Sequence, residues 1–145
     1  MDKVGEARIL LKMAGVPKTQ QADICCYVLL AMTDMKPDMS WKEARNEWIC
    51  IHDIIQFSNA FYGTTYAENS QETILKEVMD RFRMAALIED NGKETNSPDY
   101  RYRITEETMK FLKPFQFTEW PKSRDHIRMY YDRLIDLCAS PQEWQ

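Results

Sequence analysis

A mainly α fold carrying one small two-stranded β element is what this sequence predicts, on three observations. Apolar residues recur at helical spacing from Val4 to Ala86, with Gly and Pro between the periodic segments. The turn signal Asp90-Asn91-Gly92-Lys93 follows Leu87-Ile88-Glu89, and Tyr100 to Ile104 then alternates aromatic or apolar residues with basic ones. Helices, strand, loop and strand in that order form the pattern of a winged helix-turn-helix with a two-stranded wing, and the remaining sequence adds extra C-terminal helices. A chain of 145 residues suffices for one ordinary core. The winged unit is expected over 1–115 and a helical extension over 116–145.

Val4 to Met13 reads as a first helix stopped by Gly15 and Pro17, and Thr19 is the expected cap of a second. Ala22 to Met32 is apolar almost all round, so the second helix should be the central buried one, ending before Lys36-Pro37. Ser40-Trp41-Lys42-Glu43 has the form of a capping box and predicts a short amphipathic helix, with Trp41, Ala44 and Trp48 facing the core. Ile51 to Tyr62 continues a helical stripe up to Gly63, a suitable C-cap. Asn69 or Ser70 is expected to cap the next helix, with Ile74, Leu75, Val78, Met79, Phe82 and Ala86 as its buried stripe. Thr105 opens another helix that Pro114 ends, and residues 122–138 carry a last one.

Composition excludes several classes. The longest apolar run is far too short to span a bilayer and Met1-Asp2-Lys3 lacks the apolar core of a signal peptide, so a soluble cytoplasmic protein is expected, without a membrane partner. Cys25, Cys26, Cys50 and Cys138 show no paired C-x-x-C spacing, which leaves them as reduced thiols rather than a zinc cluster. The net charge of −4 opposes phosphate binding, but its distribution is uneven: residues 1–92 hold 10 basic and 14 acidic residues, residues 93–133 hold 9 and 7. A basic face is therefore permitted in the second half.

In a helix-turn-helix the second helix presents its free face to the major groove of double-stranded DNA. Here that face carries Asn69, Ser70, Thr73 and Lys76, with Glu77 and Asp80 further along. Amide, hydroxyl and ammonium groups read base edges or hold phosphates, so contact should concentrate in the N-terminal half of the helix. The same residues also suit the solvated side of an amphipathic helix. Lys93, Asn96, Ser97, Arg101 and Arg103 gather around the hairpin, and alternation places Arg101 and Arg103 opposite Tyr100, Tyr102 and Ile104. Such a hairpin can follow a phosphate backbone or a minor groove.

Between Ala14 and Thr105 several elements carry a resemblance. They are Ala14-Gly15 with Gln20-Gln21, Tyr62-Gly63, Tyr66-Ala67-x-Asn69, Glu72-Thr73-Ile74, Asn96-Ser97-Pro98 and Tyr102-x-Ile104. Together they resemble the N-terminal helix-turn-helix domain of the BsuBI/PstI family of type II restriction endonucleases. The resemblance implies DNA recognition by this stretch, Tyr66 included, and cutting by a separate C-terminal domain. Two departures limit it. Family members tend to place arginines around the Glu-Thr-Ile element, where this chain has Gln71, Leu75 and Lys76, so a target preference does not transfer. After residue 105 two helices are expected, and no nuclease domain.

No catalytic or metal-binding residue is assigned. A metal-dependent nuclease of that class needs carboxylates and a D/E-x-K element on adjacent strands. The one match, Asp34-Met35-Lys36, falls at the end of a buried helix before Pro37. His52 and His126 are isolated on helices, and no phosphate-cradling glycine loop is present. No cofactor is expected, magnesium belonging only to a nuclease domain in a longer parent. A homodimer, and a nuclease domain or partner in cis or trans, stay open. So do two rival readings, a winged helix used for protein contacts and a fragment of a nuclease with a degenerate centre around Asp34 and Lys36.

Overall fold

The computed structural model describes residues 2–115, apart from the side chains of Glu68, Asn69 and Ser70. The expected helix over 122–138, the whole 116–145 extension, His126 and Cys138 lie outside the described residues. Among the described residues five α-helices and a small antiparallel sheet are arranged in the order α1 (Lys3–Met13), α2 (Asp23–Met32), α3 (Ile51–Phe61), α4 (Glu68–Met84), β1 (Ile88–Asp90), β2 (Tyr102–Ile104) and α5 (Glu106–Leu112). The fold is mainly helical with a winged helix-turn-helix arrangement.

Helix α2 is the centre. Its residues 25, 26 and 28–32 are all buried, and α1, α3 and α4 pack around it. A helix apolar on all sides is stable only when neighbours cover every side, and three helices do so here. Helix α4 adds Leu75, Val78, Met79 and Phe82 to the same core, and Leu87 closes it together with Ile88, Tyr102 and Ile104 of the sheet. Among the described residues no helix is long and apolar enough to cross a membrane.

Three helix ends share one device. After α1, α2 and α4 the chain steps into the left-handed region at Gly15 (φ 87°), Asp34 (φ 53°) and Ala86 (φ 61°). The following amides of Val16, Met35 and Leu87 then bond back to the carbonyls of Leu11, Leu30 and Phe82. This is the Schellman pattern, and the residue after each left-handed step is buried, which ties the helix end to the core.

Several local expectations change. Thr19 falls in a single 3-10 turn, Lys18–Gln20, and α2 starts at Asp23 with Ala22 as N-cap. Ser40 and Glu43 do form the capping box, but it opens a single 3-10 turn, Trp41–Glu43, and not a helix. Trp41 is buried as expected, with its indole N–H donating to Glu6 Oε1 at 3.0 Å. Trp48 is not in the core. The chain runs extended past it to Ile49, which exchanges two 2.8 Å backbone hydrogen bonds with Tyr102 and so flanks β2 on the side opposite β1. The sheet thus gains a one-residue third strand.

Inside this core Ser58 on α3 is fully buried and its hydroxyl has no hydrogen-bond partner. A buried hydroxyl without a partner destabilises, so its removal without a change of shape is harmless or better. Ser58→Ala is expected to leave the urea midpoint unchanged or to raise stability by up to about 1 kcal/mol. A loss of more than about 1 kcal/mol would show that the hydroxyl is satisfied.

Candidate nucleic-acid interface

Helices α3 and α4 and the turn 62–67 between them form the helix-turn-helix. Gly63 turns the chain with φ 69°, a conformation that a side chain would strain even though a Cβ there would meet nothing within 4 Å. Asn59 then clamps the turn. Its Oδ1 accepts from Thr64 Oγ1 (2.6 Å) and from the Tyr66 amide (3.0 Å), while its Nδ2 donates to the Tyr66 carbonyl (2.9 Å). The Tyr66 ring is half-buried, edge-on to Tyr27 at 6.2 Å, and Tyr27 also meets Tyr62 at 5.9 Å. Burial pushes the phenols of Tyr62 and Tyr66 above their ordinary range, so both stay neutral at working pH.

Helix α4 begins at Glu68 with Ala67 as N-cap, so Asn69 and Ser70 sit in its first turn instead of capping it. A methyl at the N-cap accepts nothing from the first-turn amides. Thr73 and Lys76 are exposed as expected, and Lys76 pairs with Glu72 at 3.4 Å. Glu77 and Asp80 are exposed on the same side. Ile74 leaves the expected core stripe: it is 45% exposed, beside Thr73. Ala86 lies beyond the helix at the left-handed step and is exposed too.

The strands pair Ile88 with Ile104, Glu89 with Arg103 and Asp90 with Tyr102. Between them runs a loop over 91–101, longer than the tight Asn-Gly hairpin that the sequence suggests. Its first residues form side-chain turns instead, with Asp90 Oδ1 accepting from the Gly92 amide at 2.9 Å and Asn91 Oδ1 from the Lys93 amide at 3.3 Å. Ser97 Oγ accepts from the Asp99 amide, and Asn91 Nδ2 donates to the Asp99 carbonyl, which ties the two limbs together. Lys93 and Asn96 are exposed on this loop. Arg101 folds back, Nη1 donating to the carbonyls of Pro98 (2.8 Å) and Tyr100 (2.9 Å).

Alternation on β2 holds: Tyr102 and Ile104 are buried and Arg103 faces outward. Arg103 is partnered there, to Glu89 at 3.1 Å and over the half-exposed Trp48 ring, with Cζ 4.2 Å from the ring centroid. Cross-strand opposite charges and a guanidinium on an indole each stabilise modestly. On the other side Arg83, from the last turn of α4, reaches the wing. Its Nη1 donates to Asp90 Oδ2 (2.8 Å) and to the Tyr100 hydroxyl (2.9 Å), and that hydroxyl donates to Asp90 Oδ2 (3.0 Å). The Gly92 amide and the Arg83 guanidinium hold the Asp90 carboxyl below its usual range, and burial raises the Tyr100 phenol. Nothing in the spacing of residues 80, 83, 90 and 100 announces this cluster; a Tyr on the buried face of a strand near an Arg at a helix end is the only available hint.

The residues of the Asp-x-Lys element serve a helix end. Asp34 is the left-handed residue after α2 and lies 3.7 Å from Arg45, Met35 is buried, and Lys36 stands over the Phe61 ring at 5.1 Å. Among the described residues no group of three or more His, Cys, Asp and Glu could hold a metal ion. Of the cysteines, burial pushes the Cys26 thiol up to about 12 and raises that of Cys25, whereas Cys50 sits half-buried at the start of α3 with Sγ 3.3 Å from Asp53. The first two are inert at neutral pH.

The chain is 34% identical over 144 residues to the type II restriction enzyme BsuBI of Bacillus subtilis, covering 97% of this chain and 46% of that enzyme. It is 30% identical over 132 residues to the type II restriction enzyme AplI of Arthrospira platensis, covering 89% of this chain and 41% of that one. It thus spans less than half the length of either. In fold it is similar to the SdaI restriction endonuclease, with a TM-score of 0.72 at 21% identity over 92% of this chain and 46% of that structure. The sequence profile of the BsuBI/PstI restriction endonuclease HTH domain matches residues 1–136. With helix, clamped turn, helix and wing in place, the chain belongs to the BsuBI/PstI restriction endonuclease helix-turn-helix family.

Proposed function

We propose that this chain binds double-stranded DNA and discriminates among sequences, acting as the recognition portion of a restriction system whose cutting machinery lies in another segment, in cis or in trans. The observation that carries the reading is the exposed set Thr73, Ile74 and Lys76 in the first half of α4, set by a clamped turn with the wing beside the far end of the helix. Thr73 and Lys76 read base edges, joined by Asn69 and Ser70. Ile74, apolar and exposed next to Thr73, offers a surface for a thymine methyl. Lys93, Asn96 and Arg101 meet the phosphate backbone. Tyr66, Ser97 and Arg103 border the face, and their partners within the protein make them part of its frame.

The electrostatic drive is small, because Glu72, Glu77 and Asp80 offset Lys76 and Arg81 on the helix, and Glu94 and Asp99 offset Lys93 and Arg101 on the wing. Non-specific affinity is therefore expected to be micromolar or weaker at physiological salt and to fall as salt rises. Anisotropy of a labelled random duplex across a salt series measures this. Arg101→Ala should weaken binding to all sequences alike and flatten the slope of log K against log salt by about one unit, as for one lost phosphate contact. Affinity independent of salt would contradict the reading, and would favour the protein-contact use of the fold that the acidic residues Glu77 and Asp80 suit.

A further inference from the structure

We infer that Asp90, a carboxylate of the wrong sign to meet phosphate, is a positioning residue for DNA binding, because it fastens the wing to the recognition helix through Arg83 and Tyr100. The inference rests on the DNA-binding reading above.

The wing needs such a fastening. Three residue pairs are all that join β1 to β2, and the loop they support spans residues 91–101. A short ladder fixes the strands and leaves the direction of a long loop to side chains at its base. On one face of that base Arg103 pairs with Glu89 and lies over Trp48. On the other face Asp90 gathers three separate pieces of chain. Its Oδ1 takes the Gly92 amide at the start of the loop, and its Oδ2 takes both the Tyr100 hydroxyl at the loop's end and the Arg83 guanidinium from α4. Arg83 in turn donates to that same Tyr100 hydroxyl and lies 3.3 Å from Asp80, one turn back on the helix. Tyr100 is buried, with its ring 4.8 Å from that of Tyr102, so its hydroxyl is aimed by packing and not by chance. The carboxylate is thus the shared acceptor of loop start, loop end and helix end, and charge-assisted bonds of this kind fix geometry.

Two accounts of Asp90 give opposite signs. If only charge matters, Asp90→Asn makes the protein less negative and frees Arg83, and DNA binding tightens. If position matters, the same substitution weakens binding, because Arg101 and Lys93 no longer meet the backbone while α4 is in the groove.

The test uses the 145-residue chain and a labelled duplex at one low salt concentration, at a temperature where circular dichroism shows every variant folded. Asp90→Asn is expected to weaken binding about three- to tenfold, and Tyr100→Phe, which keeps the ring and every charge, to weaken it about two- to fivefold. Asp90→Glu should restore part of the loss. The decisive readout is coupling: the penalty of Arg101→Ala should nearly vanish in the Asp90→Asn background, or in the Tyr100→Phe background if Asp90→Asn does not fold. Unchanged or tighter binding by Asp90→Asn overturns the inference, as does an Arg101→Ala penalty that persists in full. Wild-type protein that binds no duplex at all overturns the DNA-binding reading itself, which separates the two failures.

Discussion

Replacing Thr73 and Lys76 together by alanine is expected to abolish discrimination between preferred and random duplexes while leaving non-specific binding largely in place. Both residues project from the N-terminal half of α4, opposite the buried Leu75, Val78 and Met79, which is the part of a second helix that reaches base edges. Each lost base contact is worth about 1–3 kcal/mol, roughly five- to 150-fold in relative affinity. The loss should not extend to the fold, since both side chains are exposed and the pairing of Lys76 with Glu72 is a surface one of small value. Selection of preferred sites from a random pool by wild type, then the same selection with the double variant, measures the effect. Full retention of the preference by the double variant would mean that the wing, and not α4, reads the sequence.

Glu6→Ala is expected to be among the most destabilising single substitutions outside that face, at about 3 kcal/mol in a urea titration. Glu6 is a nearly buried carboxylate whose Oε1 accepts from Lys3 Nζ at 3.1 Å and from the Trp41 indole at 3.0 Å, and Lys3 also donates to the Met39 carbonyl. Truncation removes the counter-charge of a buried ammonium, which keeps the Met39 carbonyl, and takes the acceptor from a buried indole N–H, which weakens the attachment of the 36–44 segment to α1. Glu6→Gln keeps an acceptor for Trp41 and should cost distinctly less. Equal losses for the two variants would show that the charge, not the acceptor, carries the effect.

Much of this architecture is legible in the sequence where one signal suffices. The stripe of α2, the Thr105 cap of α5, which accepts from the Thr108 amide, and the alternation of β2 all arise from periodicity and capping chemistry. What escapes is whatever depends on distant partners. Gly15 advertises a left-handed helix end, whereas Asp34 and Ala86 take the same conformation with no Gly to mark it, because burial of Met35 and Leu87 outweighs a local penalty of about 1 kcal/mol. The Ser40 capping box is real, yet the helix it announces stops after one turn, since residues 45–49 are drawn out to pair Ile49 with Tyr102 across 53 positions of sequence. Trp48 follows Ala44 at helical spacing but ends under Arg103 for the same reason.

The candidate site divides in the same way. Thr73, Lys76, Lys93 and Asn96 are exposed where their spacing puts them, while Arg101 and Arg103, read as outward-facing cations, both have partners inside the protein. Charge counting along a strand cannot see a Glu on the neighbouring strand or a carbonyl of a folded-back loop. Asn59 gives no signal in the sequence, and the Asp90, Arg83 and Tyr100 cluster gives only the faint one of a Tyr near an Arg at a helix end, because these are polar residues whose roles exist only once the turn and the wing have closed.

One measurement bears on the central claim most directly: backbone amide chemical shifts of the isotopically labelled chain, followed as a short duplex is added at low salt. Perturbations are expected to concentrate on residues 69–77 of α4 and 91–101 of the wing, with α1 and the Trp48 face of the sheet silent. Perturbations centred on α1 or on Trp48, or none at saturating duplex, would contradict DNA binding through α4 and the wing.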